Sequence, residues 1–267
     1  MIDYELLCSK VCDIAKQAGV FIRKESRTFS ANSVEVKGLH NFVSYVDKGA
    51  EIIIVDHLQE LLPEAGFIAE EGTSASRGEQ FNWVIDPLDG TTNFIHGLPP
   101  YAVSIGLLEN DCPVMGVVYE ITLDECFYAW KDSPAFLNGK TIRVSDRTKV
   151  QDALIATGFP YYDYHLMRPY INCLEYFLQN SHGVRRLGSA AVDLAYVACG
   201  RFEAFYEYGL NPWDVAGGAF ILQQAGGKSS DFSGGDNYIF GKELVAANSA
   251  VFNEFLHIIQ KFLLCER

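Results

Sequence analysis

The chain has 267 residues, enough for one large domain or for two halves that share an interface. Lysine and arginine number 21 against 34 aspartates and glutamates, so the formal net charge is -13 and the surface should repel nucleic acids and anionic membranes. Seven cysteines without a CxxC pair favour a reduced intracellular compartment over a disulfide framework or a thiolate metal site. No signal peptide or run of membrane-spanning length is evident, so we expect a cytoplasmic protein without a membrane span.

Two amphipathic helices open the predicted fold. Apolar residues keep helical spacing from Leu6 to Ile22 and again from Val46 to Leu61. Strand patterns follow, and the dipeptide at 138–139, Asn-Gly, is typical of a tight hairpin turn. The strands predicted for this half cover residues 83–86, 102–109, 114–120 and 125–130.

Strands and helices alternate in the second half. The predicted strands lie near 154–157, 202–207 and 244–247, and the predicted helices near 166–179, 190–199, 214–224 and 252–264. Strands mixed with helices in both halves indicate a layered α/β fold. We expect one domain over residues 1–267, with an α+β half up to about residue 145 and an α/β half beyond it.

The most informative segment is 83–94, which reads WVIDPLDGTTNF. Asp86 ends an apolar strand pattern, and Pro87 is expected to stop the strand pairing there. Gly90 allows a sharp turn, so that the carboxylates of Asp86 and Asp89 can converge on one point. The threonine amides that follow would open a helix, whose positive end favours an anion. The segment therefore predicts a site for a metal and a phosphate, although Asp-Pro and Asp-Gly are also ordinary turn dipeptides.

Two further acidic positions lie at the edges of predicted elements. Glu70 and Glu71 follow a short apolar run at 67–69, and Asp214 follows Trp213 at the start of a helical pattern. Paired glutamates are often solvated surface, and an aspartate there can simply cap its helix. Oxygen ligands are what Mg²⁺ prefers, so three such acidic edges together favour a magnesium site.

The motifs at 70–71 (EE), 86–94 (DPLDGTTNF) and 213–214 (WD) occur in the order found in the inositol monophosphatase family, which the chain resembles. The resemblance runs from Lys37 to about Asn248. It implies the five-layer αβαβα sandwich of the inositol monophosphatase and fructose-1,6-bisphosphatase type. It also implies a magnesium-dependent, lithium-sensitive phosphatase. Further matching segments are 156–160 (ATGFP), 185–191 (RRLGSAA) and 211–217 (NPWDVAG).

The resemblance assigns metal ligands and a catalytic group to this sequence. Two or three Mg²⁺ ions per site are implied, and a pair of them would activate water and neutralise the leaving oxygen. Thr91, hydrogen-bonded to Asp47 and acting together with Glu70, is implied as the group that orients and deprotonates the attacking water. The implied metal ligands are the side chains of Glu70, Asp86, Asp89 and Asp214 and the main-chain carbonyl of Leu88.

Substrate contacts are also implied by the resemblance. Lys37 would add positive charge near the pocket, or it is a solvated lysine at a strand end. The DGTTNF variant favours the inositol phosphatase branch, so we expect hydrolysis of myo-inositol monophosphate to inositol and phosphate. The residues expected to contact substrate are Asp89, Gly90, Thr91, Ala191 and Glu207.

Other activities and partners stay open at the level of sequence. Fructose-1,6-bisphosphatase or another sugar or nucleotide phosphatase would use the same metal site, whereas a glycosidase would use two carboxylates without metal. The resemblance implies a homodimer, and some bacterial relatives also bind the transcription machinery. Direct nucleic-acid binding is disfavoured by the net acidity. The tyrosine-rich segment 161–182 matches no family motif.

Overall fold

A computed structural model describes residues 2–28, 34–38, 41–74, 76–160 and 163–264, with the backbone alone for 34–38 and 41–44. The helices are α1 (Tyr4–Glu25), α2 (Tyr45–Leu61), α3 (Thr91–Ile95), α4 (Met167–Asn180), α5 (Ala190–Ala198), α6 (Pro212–Gln224) and α7 (Phe252–Leu263). The strands are β1 (Val34–Gly38), β2 (Asn41–Ser44), β3 (Gly66–Ala69), β4 (Phe81–Asp89), β5 (Ala102–Glu109), β6 (Cys112–Glu120), β7 (Glu125–Trp130), β8 (Ala135–Leu137), β9 (Lys140–Ile142), β10 (Leu154–Thr157), β11 (Gly183–Arg185), β12 (Ala204–Tyr208), β13 (Gly227–Ser230) and β14 (Glu243–Asn248).

Two mixed sheets form the frame of the molecule. Strands β3 to β9 build a seven-stranded sheet in chain order, in which β3 is parallel to β4 and each later pair is antiparallel. The second sheet has the order β11-β10-β12-β14-β13, and β10 runs parallel to both of its neighbours. Strands β1 and β2 form a separate antiparallel hairpin.

The sheets and helices stack in five layers. Helices α1 and α2 cover one face of the seven-stranded sheet, and α5 and α6 lie between the two sheets. Helices α4 and α7 cover the outer face of the five-stranded sheet. Each sheet thus buries both faces, and the predicted αβαβα sandwich is confirmed. Among the helices described, none combines the length and the apolar character needed to cross a bilayer.

The predicted helices and strands are present, with differences in the extent of β4 and in the number of strands. Strand β4 continues to Asp89, so the expectation that Pro87 would end the strand at Asp86 was wrong. Pro87 instead coincides with an irregularity in the pairing of β4 with β5, between Asp86 and Asp89. No bounds were predicted for the short strands β1, β2, β3, β8, β9, β11 and β13. Strand β11 has only three residues, and β13 reads GKSS without apolar alternation. The hairpin turn is confirmed, with positive φ angles of 47° at Asn138 and 80° at Gly139.

Helix α6 approaches the seven-stranded sheet closely, and small residues make this possible. A Cβ added to Gly116 on β6 would lie 2.2 Å from the main-chain oxygen of Gly217 on α6. A Cβ added to Gly106 on β5 would lie 3.1 Å from the Cβ of Ala216. The helix that carries Asp214 is therefore seated by backbone contact with the sheet.

We expect Gly116→Ala to lower the melting temperature more than Gly106→Ala. At Gly116 the obstacle is backbone, which cannot rotate away, and overpacking of this kind costs roughly 1–3 kcal/mol or more. At Gly106 a shift of a few tenths of an ångström suffices. Thermal unfolding followed by circular dichroism measures both variants. Equal melting temperatures for wild type and Gly116→Ala would contradict the proposed close seating.

Candidate active site

A cavity of about 250 Å³ lies where the ends of β4 and β12 meet the N-termini of α3, α5 and α6. Strand β4 comes from the seven-stranded sheet and β12 from the five-stranded sheet, so the cavity is built by both halves of the chain. It gathers most of the side chains that the sequence singled out. Those lining it are Glu70, Asp86, Leu88, Asp89, Gly90, Thr91, Glu207 and Asp214.

Three aspartates that line this cavity form an acidic cluster. Asp86 and Asp89 come from β4 and Asp214 from the first turn of α6, and each offers a carboxylate oxygen within 4.8 Å of the other two. Asp86 is 2% exposed and Asp89 is 8% exposed. Asp214 is at least 125 residues from β4 in the sequence, and the packing of α6 on the sheet brings them together.

Each carboxylate of the cluster is oriented by a donor of the chain itself. The Leu88 amide donates to Asp86 Oδ1 at 2.9 Å, and the Asn211 amide donates to Asp214 Oδ2 at 2.6 Å. The second bond belongs to a capping box, so Asp214 caps α6 and also lies in the cluster. Asp89 Oδ2 accepts from two groups at 2.7 Å, Ser189 Oγ and the Ala191 amide.

Burial dominates the electrostatics of the cluster. It raises the pKa of Asp214 to about 7 and the pKa of Asp89 to about 6. The pKa of Asp86 is raised well above its ordinary value, first by burial and then by the charges of Glu70, Asp89 and Asp214. Hydrogen bonds from Ser189 and the amide of Ala191 act against burial at Asp89. The metal-free cluster therefore holds protons at a pH where exposed aspartates have lost them.

Thr91 is placed beside the cluster by the turn at Gly90. Gly90 has a φ of 94°, in the left-handed region, and a Cβ there would meet the Pro100 oxygen at 3.0 Å. Thr91 Oγ1 lies 3.0 Å from Asp47 Oδ1 and 3.0 Å from the Leu88 oxygen. The hydrogen bond expected between Thr91 and Asp47 is present, and Asp47 itself is 1% exposed on α2.

Glu207 faces the same cavity from the five-stranded sheet. It is 8% exposed on β12, and burial together with the charge of Asp214 raises its pKa well above the ordinary range. Gly158 makes room for it, because a Cβ on Gly158 would lie 2.0 Å from the Glu207 carboxylate. Glu207 therefore shares one cavity with the acidic cluster.

Comparison with known proteins agrees with this architecture. Residues 3–263 match the model of the inositol monophosphatase family. The chain belongs to this family. The Escherichia coli (strain K12) protein named Nus factor SuhB is 41% identical over 243 residues, which cover 91% of this chain and 91% of that protein.

Two solved structures are similar over nearly the whole chain. The extragenic suppressor protein suhB from Bartonella henselae has a TM-score of 0.88 and 37% identity, and covers 93% of this chain and 96% of its own. The inositol monophosphatase from Anabaena (Nostoc) sp. PCC 7120 has a TM-score of 0.85 and 30% identity, and covers 98% of this chain and 99% of its own. The protein is thus a metal-dependent phosphatase of the inositol monophosphatase family that acts on phosphate monoesters.

The acidic cluster of this inositol monophosphatase family member fits a hard divalent cation. Its donors are carboxylate oxygens, and their burial in mutual proximity is unfavourable until protons or a cation offset the charge. Glu70 lines the same cavity, and its amide donates to the Ile85 oxygen at 3.2 Å, which places it beside Asp86. These residues could hold Mg²⁺ together with the Leu88 carbonyl.

One residue expected to contact substrate has a different placement. Ala191 is fully buried, does not line the cavity, and donates its amide to Asp89. Lys37 lies on β1, and its side chain is outside the part of the chain that is described. Tyr161 and Tyr162 of the tyrosine-rich segment are also outside it.

Arg186 is the residue of this phosphatase site that sequence analysis missed. It lines the cavity, and its charge lowers the pKa of both Asp89 and Glu207. Its guanidinium lies 5.9 Å from the ring centroid of Phe159. The signal was available, because Arg186 stands in the segment RRLGSAA just before a helix start, and a cavity rich in carboxylates needs a compensating cation.

We expect the metal-free protein to lose stability as pH rises from about 4 to about 7. The raised pKa values mean that the folded state binds more protons than the unfolded chain between the ordinary aspartate pKa and about 7, so the free energy of unfolding falls through this window. Mg²⁺ competes with those protons and should stabilise more at about pH 8 than at about pH 5. Thermal unfolding in chelator and in Mg²⁺ measures both effects.

Asp214→Asn provides the control for this titration. It removes one of the raised groups and should flatten the pH dependence of the metal-free melting temperature. A melting temperature that rises between about pH 4 and about pH 7 in chelator would contradict the interpretation.

Proposed function

We propose that the protein hydrolyses the phosphate monoester of a small polyol, with myo-inositol monophosphate as the preferred substrate and Mg²⁺ as the metal. The observation that carries the proposal is the arrangement of one cavity. The acidic cluster suits a metal and a phosphate, and Glu207 and Arg186, which line the same cavity, suit a hydroxylated group. Family membership and the DGTTNF segment support the same substrate class.

The phosphate would lie between the acidic cluster and the start of α3. The amides of Gly90 and Thr91 at this turn suit an anionic oxygen, and both residues line the cavity. When bound, Mg²⁺ supplies Lewis acidity for the phosphate and for the attacking water. Asp86, Asp89, Asp214, Glu70 and the Leu88 carbonyl are the proposed ligands.

Thr91 and Asp47 would orient the attacking water. If the Thr91 hydroxyl donates to Asp47, its oxygen is left to accept a hydrogen bond from the attacking water. Glu70 lines the same cavity and is half-buried. Its carboxylate would act together with Thr91 and Asp47 to accept the proton that the attacking water loses. The use of the Leu88 carbonyl by a metal would leave Asp47 as the partner of the Thr91 hydroxyl.

The polyol would be recognised by side chains that line the same cavity as the acidic cluster. Asp89 and Glu207 are the proposed hydrogen-bond partners of its hydroxyls, and Arg186 balances their charge. Because the Ala191 amide is engaged by Asp89, we propose that Ala191 acts on the polyol through that carboxylate. Lys37 is a proposed source of positive charge near the phosphate.

Alternative activities share this metal site. Fructose-1,6-bisphosphatase or another sugar or nucleotide phosphatase activity is the second candidate, since the acidic cluster alone does not select the alcohol. A homodimer remains a proposal from the family resemblance. Association with the transcription machinery is a further proposal, supported by 41% identity to the protein named Nus factor SuhB.

We expect Asp86→Asn to lower turnover by at least ~10³-fold, because it removes ligand charge that must hold the cation opposing the transition-state charge. Phosphate release is measured over inositol, fructose, glycerol and nucleotide phosphates, with and without Mg²⁺ and with added lithium. Inositol monophosphate should be the preferred substrate, with activity dependent on Mg²⁺ and inhibited by lithium. Glu120→Gln is the control, since Glu120 is a fully buried acid that does not line the cavity. Near-normal turnover in Asp86→Asn would refute the metal role.

We expect Glu207→Gln to raise the KM for inositol monophosphate by up to roughly tenfold, since a typical hydrogen bond contributes about 0.5–1.5 kcal/mol. An aryl phosphate without hydroxyls should show little change, because it offers Glu207 no partner. Steady-state kinetics on both substrates measure the ratio. An equal change in KM for the two substrates would show that Glu207 does not bind the polyol hydroxyls.

A further inference from the structure

Glu51 is a fully buried acid that the proposed mechanism leaves unused. It lies on α2, is 0% exposed, and accepts three hydrogen bonds from the loop after β3. The Glu71 amide donates to Oε2 at 2.7 Å. The amide and the hydroxyl of Thr73 donate to Oε1 at 2.8 Å and 2.7 Å. The buried Glu51 carboxylate therefore binds the segment 71–73, which begins directly after Glu70.

The loop is shaped to present its amides to this carboxylate. Gly72 stands between the two donating amides with a φ of 69°, in the left-handed region. A Cβ at Gly72 would meet nothing within 4 Å, so the glycine is required by backbone conformation and not by space. On the other side, the Glu70 amide is bound to the Ile85 oxygen at 3.2 Å. The backbone of Glu70 is therefore held between β4 and the carboxylate of Glu51.

Helix α2 carries a second contact of the same kind. Asp47 lies four residues before Glu51, so both project from one buried face of the helix. Asp47 Oδ1 lies 3.0 Å from Thr91 Oγ1, and Glu51 binds the loop that follows Glu70. One helix face thus fixes two separate chain segments that the proposed mechanism places around the attacking water.

We infer that Glu51 is a positioning residue that holds Glu70 in the orientation needed to bind the metal and share the proton of the attacking water. The inference rests on the proposed function for the role of Glu70. Without the acceptor, the loop from Glu71 to Thr73 loses its buried anchor, and the Glu70 carboxylate samples positions away from Asp86. Groups that orient a metal ligand in this way typically change metal affinity or activity by about 10–100-fold when they are altered.

The test compares Glu51→Gln with Glu120→Gln in the full-length protein. Glutamine places an amide group against a backbone donor and so removes at least one of the three bonds. Glu120 is a close match, being 0% exposed and accepting from the Thr122 amide, the Thr122 hydroxyl and the Leu123 amide, but it does not line the cavity. Both variants should lose similar stability, which separates a general folding effect from an effect on the site.

Three measurements distinguish the variants. Glu51→Gln should weaken Mg²⁺ binding by calorimetry by about tenfold and raise the Mg²⁺ concentration for half-activation by a similar factor. The KM for substrate at saturating Mg²⁺ should stay near that of wild type. In metal-free protein, amide exchange over residues 71–73 should accelerate. Glu120→Gln should keep wild-type Mg²⁺ affinity and wild-type exchange in that loop.

Each outcome decides one proposal. Wild-type Mg²⁺ affinity and unchanged loop exchange in folded Glu51→Gln overturn the role of Glu51. If Glu51→Gln does not fold, Thr73→Val removes the hydroxyl bond alone and should weaken Mg²⁺ binding by roughly threefold, and no change overturns the inference. Absence of phosphatase activity in wild type would instead refute the proposed function, while the metal-binding and exchange results would still test Glu51.

Discussion

Repulsion among buried carboxylates is the constraint around which this molecule is organised. Asp86, Asp89 and Asp214 bring oxygens within 4.8 Å of one another in a cavity where burial raises each pKa. Such proximity is unfavourable unless protons or cations neutralise it, so the fold must impose it. Backbone and hydroxyl donors fix the orientation of each carboxylate, and the close seating of α6 on β5 and β6 fixes the distance between them. The site is therefore preorganised for a cation.

The same constraint explains why the cavity needs both sheets. The acidic cluster depends on β4 and α6, whereas Glu207 and Gly158 belong to the five-stranded half. Asn93 links the two sides, because its Nδ2 donates to the oxygens of Pro100 and Leu187 at 2.8 Å. The proposed contacts of the alcohol would thus come from both sheets, Asp89 from β4 and Glu207 from β12. Changes in the second half can alter the selected alcohol while the metal ligands from β4 stay in place.

Helix α2 extends this organisation to groups that do not touch the metal. Asp47 and Glu51 are nearly or fully buried acids that hold Thr91 and the loop after Glu70 from one helix face. Their hydrogen bonds go to hydroxyl and amide donors, which suits orientation of other side chains more than binding of a cation. Position in space, not residue type, separates these acids from the cluster. The sequence pattern of acids at element edges could not make this distinction, and Glu51 within a helical pattern gave no signal at all.

The local sequence by itself determined the turn chemistry, the family and the layered class. Gly90 and the residues around it specify a sharp turn followed by a helix, because those preferences act over a few residues. Tertiary structure decided which distant groups meet. The contact of Asp214 with β4, the role of Arg186 as a compensating cation, and the continuation of β4 past Pro87 all depend on packing between layers. Such packing is set by shape and burial across the whole chain, and no short stretch of residues encodes it.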